Sequence, residues 1–93
     1  MSYSISMHAK IRAQQRGIPP YMNDVLDLYG NEQHDGHGGV IRYLDKASIQ
    51  DIEQDMGRQS ARRLENSYNT YKVINSMHGI TVTMGHRYTR IWR

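Results

Sequence analysis

Apolar residues recur at helical spacing in the first third of the chain. The clearest group is Met22, Val25, Leu26 and Tyr29, at relative positions i, i+3, i+4 and i+7. This spacing places all four on one face of a helix that packs on a core. Pro19-Pro20 would open the helix, because an N–H at the first helical position has no partner to lose, and Gly30 would end it.

A shorter helix is predicted before it. Ser4 or Ser6 can cap its N-terminus, and Gly17 can end it after Arg16. Three of its apolar neighbours are expected to face the interior: Met7, Ile11 and Ile18. The two helices would form a helical hairpin joined by Gly-Ile-Pro-Pro.

A third helix is predicted from Asp45, which has the features of an N-cap. Leu44 and Ile49 stand at the two positions of a hydrophobic staple around that cap. Apolar residues continue at helical spacing to about Asn66, and Gly57 is expected to bend or restart the helix.

The remaining apolar segments alternate with polar residues, as half-buried strands do. Four strands are predicted, at 40–44, 71–75, 80–84 and 87–93. Turns are expected at 76–79 and at Gly85-His86, and 31–39 has the composition of a loop. The fold class is therefore α+β, in the order ααβαβββ. A small antiparallel sheet of about four strands would pack against the N-terminal helical hairpin and a further helix.

The size and composition of the chain narrow the class of protein. A chain of 93 residues supports a single domain, 1–93, with one modest core. The absence of cysteine excludes disulfides and thiolate metal sites, which fits a reducing compartment. No apolar run approaches the roughly 18 residues of a membrane span, and the N-terminus lacks the apolar segment of a signal peptide. We expect a cytoplasmic protein that does not enter a membrane.

Basic residues occupy both ends of the chain without acidic neighbours. Residues 1–20 and 72–93 contain no acid, and all nine acidic residues lie within 24–65. Most of the twelve basic residues are arginines, which suit planar, two-point contact with phosphate. Because a net charge of +3 is small, the distribution is more informative than the total, and it predicts an anionic partner at the two ends.

The first basic group is His8, Arg12 and Arg16, at intervals of four residues. On a helix this spacing places them along one edge, with about 40° of drift per step. Two interpretations are open. The group is either a solvated helix face or an anion-binding ridge with a titratable side chain at one end.

The second basic group is His86, Arg87 and Arg90, at the entry to the last predicted strand. Strand alternation would place Arg90 between Tyr88 and Trp92 on one face, an arrangement suited to stacking against bases. The alternative is a charged edge strand that resists aggregation.

Other kinds of site have weaker support. His34, Asp35 and His37 are close in sequence, but no second ligand group accompanies them, so a solvated loop is favoured over a metal site. The chain has no glycine-rich phosphate loop, nucleophile elbow or carboxylate cluster, which argues against two-metal nucleases and glycosidases. No metal and no cofactor are expected.

A metal-independent ribonuclease could be built from the residues at the two ends. It needs a base for the 2′-hydroxyl proton, an acid for the leaving 5′-oxygen and cations for the phosphorane charge. Histidine supplies the proton transfers near neutral pH, and arginine supplies the charge. His8, His86 and the nearby arginines would suffice if the fold brings the ends together. If variants of both histidines kept full activity, Tyr43, Lys46 or an arginine would be the group that transfers the protons.

The same residues carry a resemblance to a known family. Two blocks are the most specific: His8-Ala9-x-x-Arg12-x-x-x-Arg16-Gly17-Ile18-Pro19-Pro20 and Thr81-Val82-Thr83-x-Gly85-His86-Arg87-x-x-Arg90-Ile91. Tyr29-Gly30, Gly38-Gly39 and Tyr43-Leu44-Asp45-Lys46 extend the match between them. The pattern resembles small bacterial proteins with a His-x-x-x-Arg-x-x-x-Arg-Gly-Ile motif, which are in turn similar to BrnT and, more distantly, to RelE-type toxins.

What the resemblance implies is a toxin-type ribonuclease of a toxin–antitoxin pair, with helices packed on a small antiparallel sheet. RNA would be its substrate and an antitoxin its partner. The matching positions make six residues the candidate catalytic site: His8, Arg12, Arg16, His86, Arg87 and Arg90.

The rival hypothesis is a non-catalytic, phage- or plasmid-borne module that holds a protein or nucleic acid through its basic ends. A structural domain without a ligand is the third.

Overall fold

A computed structural model describes residues 5–87 of the chain. Its helices are α1 (Met7–Gln15), α2 (Met22–Tyr29), α3 (Lys46–Met56) and α4 (Arg58–Arg63), followed by a 3₁₀ turn (Glu65–Ser67). Its strands are β1 (Asn31–His34), β2 (Gly39–Tyr43), β3 (Thr70–Asn75) and β4 (Ile80–His86). The predicted α+β class is confirmed. None of the described helices is long and apolar enough to cross a membrane.

The four described strands form one antiparallel sheet in the order β1-β2-β3-β4. The loop prediction for 31–39 is wrong for its first four residues, which form β1 and pair with β2. This strand is wholly polar, so no alternation marks it in the sequence. The Asp35 carboxylate closes the hairpin, accepting hydrogen bonds from the backbone N–H groups of His37 (2.6 Å) and Gly39 (2.9 Å).

The end of the sheet also differs from the prediction. Gly85 and His86 do not form a turn, because they continue β4 opposite Tyr71 and Thr70. The glycine at 85 is required by a side-chain contact rather than by a turn, as described below. Of the strand predicted at 87–93, only Arg87 belongs to the described residues, and it follows β4 without strand structure.

Helix α1 is capped by Ser6, whose hydroxyl accepts a hydrogen bond from the N–H of Ala9 at 3.1 Å. The prediction that Met7 and Ile11 face the interior is wrong, because they are 70% and 47% exposed. Ala9 and Ala13 are buried instead.

Small residues face inward because α1 runs close beside β4. The chain entering α1 pairs with this strand through a parallel bridge between Ile5 and Thr81, and the N–H of Ser6 donates to the Thr81 carbonyl at 2.9 Å. The helix therefore covers an edge strand whose backbone groups would otherwise be exposed.

Helix α2 follows the predicted stripe, since Met22, Val25 and Leu26 are buried. The two prolines do not begin the helix. They form a turn before it, in which the Pro19 carbonyl accepts a hydrogen bond from the N–H of Met22.

Helix α3 begins as predicted. The Asp45 side chain accepts a hydrogen bond from the N–H of Ser48 at 2.8 Å, and Leu44 and Ile49 both contribute to the core. The predicted restart at Gly57 is confirmed: its φ of 86° separates α3 from α4, and glycine adopts this conformation with little strain.

The core lies between the sheet and the helices. It contains Ala13, Ile18, Met22, Val25, Leu26, Leu44, Ile52, Ala61, Leu64, Tyr68 and Met84. Helix α2 contributes to it from one side of the sheet, and α3 and α4 extend it beyond the end of β2.

Candidate nucleic-acid interface

Side-chain hydrogen bonds identify which face of the sheet carries α2. Arg42 donates to the Leu26 carbonyl at 2.8 Å, and Lys72 donates to the Asn23 side chain at 2.9 Å, so both point toward this helix. Because neighbours along a strand point to opposite faces, the residues beside Arg42 and Lys72 face away. They are Ile41, Tyr43, Tyr71 and Val73, all half-buried, and Thr83 and Gly85 face them on β4.

We call this surface, formed by Ile41, Tyr43, Tyr71, Val73, Thr83 and Gly85, the open face. None of these described strand residues is acidic. The open face is thus an uncharged platform with aromatic rings, and its electrostatic character is set by the side chains that reach it from its margins.

Tyr71 lies across Gly85 on this surface. The two residues are paired in the β3–β4 ladder. A methyl group on Gly85 would be only 3.0 Å from both Cε1 and the hydroxyl oxygen of Tyr71. The absence of a side chain at 85 is therefore what allows the phenol ring to lie over β4.

Arg16 reaches the same point from α1. Its Nη1 donates a hydrogen bond of 2.5 Å to the Met84 carbonyl on β4. The same nitrogen would be 2.8 Å from a methyl group on Gly85, so the guanidinium and the Tyr71 hydroxyl converge above this glycine. A permanent positive charge thus stands at one margin of the open face.

Arg87 supplies a second positive charge. Its guanidinium carbon lies 5.0 Å from the centroid of the Tyr43 ring, within the range of a cation–π contact. Tyr43 pairs with Tyr71 across β2 and β3. The Tyr71 ring therefore lies between Arg16 on one side and the Tyr43–Arg87 pair on the other.

His86 points to the side of the sheet opposite Arg87. Its Nε2 is 3.0 Å from the Arg16 carbonyl oxygen, and its Nδ1 is 3.2 Å from Oδ1 of Asn69. A backbone carbonyl can only accept, so Nε2 carries the proton and donates it. The imidazole thus holds the C-terminal end of α1 against β4 through Nε2.

The other candidates lie apart from this contact. His8 and Arg12 are exposed on α1. Eight residues of helix separate His8 from Arg16, a distance of about 12 Å along the axis. The structure therefore brings Arg16 together with His86 and leaves His8 about two turns away. Arg90 lies outside the described residues.

Sequence reasoning missed Tyr71, Asn69 and the role of Gly85. Tyr71 was placed correctly in a strand, but its significance depends on what lies opposite it. Alternation within a strand shows which of its own residues share a face with Tyr43 or with Tyr71. It does not show that β2 and β3 are neighbours in a register that pairs them.

A buried polar network lies under the sheet, away from the open face. Lys72 is fully buried and forms a salt bridge with the Asp27 carboxylate, which is itself almost inaccessible. Asn23 accepts a further hydrogen bond from the same ammonium at 2.9 Å. Burial lowers the pKa of Lys72, and its hydrogen bond with Asp27 only partly opposes this shift. This lysine cannot reach a macromolecular substrate, so its role is structural.

The segment that contains His34, Asp35 and His37 is also stabilised by its own hydrogen bonds. Backbone N–H groups of His37 and Gly39 lower the pKa of Asp35 by stabilising its carboxylate. Within residues 5–87, no three His, Asp or Glu side chains are arranged to hold a metal ion. The Asp35 carboxylate, the strongest potential ligand in this loop, serves the turn between β1 and β2.

No protein-family model, curated protein or solved structure matches the chain. The likeness to BrnT and RelE-type toxins accordingly rests on the sequence motifs, and it stays a prediction.

Proposed function

We propose that this protein binds single-stranded RNA across the open face of its sheet. The observation that carries the proposal is the position of Tyr71 between Arg16 and the Tyr43–Arg87 pair. An unpaired base can stack on a phenol ring, and each arginine can pair with a flanking phosphate. The absence of acidic residues among the described strand positions of this face removes a source of repulsion.

A single strand is the proposed ligand because stacking on Tyr71 requires an unpaired base. In a duplex the base faces are covered by their neighbours, whereas loops and ends can splay a base onto an aromatic side chain. The basic, acid-free surface of α1 continues from Arg16 through Arg12 toward His8, so it offers a path for additional phosphates.

Cleavage of the bound RNA is the more demanding form of this proposal. The convergence of the Tyr71 hydroxyl with the Arg16 guanidinium favours it, because a phenol can transfer a proton while arginine stabilises phosphorane charge. No metal is required in such a mechanism. In this form the protein is a cytoplasmic, toxin-type ribonuclease held inactive by an antitoxin, and His86 acts by positioning Arg16.

Binding is tested by fluorescence anisotropy with a labelled RNA of about 12 nucleotides, unstructured or annealed to its complement. The unstructured strand is expected to bind more tightly. Tyr71→Ala should weaken binding by about 1–3 kcal/mol, the usual contribution of one stacked base. Tyr21→Ala is the matched control, because Tyr21 is exposed at the start of α2 and does not belong to the open face. Equal losses in the two variants would exclude the open face as the binding surface.

Cleavage is tested by incubating the purified protein with RNA in excess EDTA and mapping the new ends. Tyr71→Phe keeps the ring but removes the hydroxyl, so it should preserve binding and lower the rate of cleavage. If the wild-type protein binds but never cuts, with or without ribosomes, the function is binding alone. If Tyr71→Phe cuts at the wild-type rate, another group transfers the proton.

A further inference from the structure

A cavity of about 630 Å³ opens between α1, the turn at 17–20 and the start of α2. Its size falls in the range of small-molecule sites. The walls are largely apolar and are formed by Ile5, Ala13, Ile18, Pro19, Pro20 and Met84. The cavity lies on the helix side of the sheet, because Met84 belongs to the core and pairs with Lys72. It is therefore separate from the open face.

The side chain of Asn23 supplies an unused donor in this cavity. Its Oδ1 accepts hydrogen bonds from Lys72 Nζ (2.9 Å) and Thr81 Oγ1 (3.3 Å). An ammonium group can only donate, so the amide oxygen must face Lys72 and the amide NH₂ must point away. Asn23 is 7% exposed and lines the cavity, and its NH₂ donates no hydrogen bond within residues 5–87.

The NH₂ is accessible from the cavity, so it can donate a hydrogen bond to an acceptor oxygen of a ligand. An oxygen entering the cavity would complete the hydrogen bonding without disturbing the network beneath it.

The charged side chains around the cavity define the ligand further. Lys10 lines it from α1, a helix with no acidic residue, and is exposed. Asp24 lines it from α2 and is exposed as well. Lys10 attracts a carboxylate and Asp24 repels one, so a ligand with one carboxylate is favoured over a ligand with two.

From these observations we propose that the cavity binds a small monocarboxylic acid with an apolar chain. One carboxylate oxygen accepts a hydrogen bond from the Asn23 amide, the Lys10 ammonium neutralises the charge, and the chain packs against the prolines, Ile18 and Met84. This site is independent of RNA binding on the open face.

The test is a titration of the isotope-labelled protein followed by NMR, with octanoate as the probe. The Asn23 side-chain NH₂ and the Met84 methyl signals are expected to shift and saturate. Hexanoate should bind more weakly, by about fourfold for each methylene removed from the apolar contact. Octylammonium has the same chain but the opposite charge and should produce much smaller shifts at the same signals.

A pair of charge-reversal variants separates a specific site from general attraction to a basic helix. Lys10→Glu should weaken octanoate binding about two- to fivefold, the scale expected for one exposed ion pair. Arg12→Glu changes the net charge equally on the same helix, but Arg12 does not line the cavity, so affinity should stay within twofold. Three results would each overturn the proposal. They are unchanged Asn23 and Met84 signals on addition of octanoate, equal binding of octylammonium, and equal losses of affinity in both variants.

Discussion

The imidazole of His86 is hydrogen-bonded to the backbone carbonyl of Arg16, with 3.0 Å between Nε2 and the oxygen. Arg16 ends α1 and His86 ends β4, so the contact joins the two basic segments of the chain. The Arg16 side chain makes a second contact with the same strand at Met84. A histidine that the sequence suggested as a proton donor is therefore placed to orient an arginine.

This contact predicts that His86 contributes to stability. His86→Ala should lower the free energy of unfolding by about 0.5–1.5 kcal/mol, because the hydrogen bond to the Arg16 carbonyl and the contact with Asn69 are lost. His86→Gln should lose less, since its amide can donate to the Arg16 carbonyl. Urea unfolding measures both, with His8→Ala as the exposed control expected within about 0.5 kcal/mol of wild type. Unchanged stability in His86→Ala, together with lost RNA cleavage, would instead indicate a direct catalytic role.

The two arginines beside Tyr71 predict the salt dependence of RNA binding. On a single strand, each neutralised phosphate contributes about −0.7 to the slope of log K against log salt concentration. Arg16→Ala and Arg87→Ala should each weaken binding and flatten the slope by about that amount. Arg63→Ala is the control, because Arg63 is exposed on α4. A slope that changes equally in all three variants would point to non-specific attraction.

The contacts of Gly85 predict that Gly85→Ala weakens RNA binding without unfolding the protein. In Gly85→Ala the new methyl group would lie 2.8 Å from Arg16 Nη1 and 3.0 Å from the Tyr71 ring and hydroxyl. The arginine tip can move aside, and Gly85 has no positive φ that would strain an alanine. We expect a folded protein with a displaced Tyr71 ring and RNA affinity at least threefold weaker, measured by circular dichroism and anisotropy. Wild-type affinity in a folded variant would show that the ring position is unimportant.

The buried pair of Lys72 and Asp27 predicts strong coupling between two substitutions. Lys72→Met leaves the Asp27 carboxylate buried without its cation and should destabilise the fold by about 3–5 kcal/mol. Adding Asp27→Leu removes the stranded charge and should recover most of the loss. A double-mutant cycle by urea unfolding measures this coupling, and simple additivity of the two single variants would contradict it.

The lowered pKa of Lys72 predicts how stability changes in alkaline solution below pH 10.5. Between its pKa in the fold and the ordinary value of 10.5, the unfolded chain binds more protons than the folded one, so the free energy of unfolding rises with pH. The window closes near pH 10.5. There the tyrosines act in the opposite direction, since an Asp55 hydrogen bond raises the pKa of Tyr29 and burial raises that of Tyr68.

Urea unfolding at successive pH values up to about 10.5 measures this effect. The rise should be absent in the Lys72→Met/Asp27→Leu variant, which retains both tyrosines. An equal rise in this variant would assign the effect to other groups.

Much of the secondary structure follows from local chemistry that the sequence displays. Asp45 predicts its own cap, Gly57 predicts the break after α3, and the stripe of Met22, Val25 and Leu26 predicts the buried side of α2. These predictions succeed because each depends on residues within one or two turns of one another.

The composition and spacing of residues determined the α+β class, the basic ends and the positions of most elements. The tertiary structure alone decided which groups meet. Helix α1 buries Ala9 and Ala13 rather than Met7 and Ile11 because its closeness to β4 leaves room only for small side chains. The interface around Tyr71 depends on the pairing of three strands and on an arginine from a distant helix. Alternation determines which side chains of one strand share a face. The register between strands is determined by packing over the whole domain.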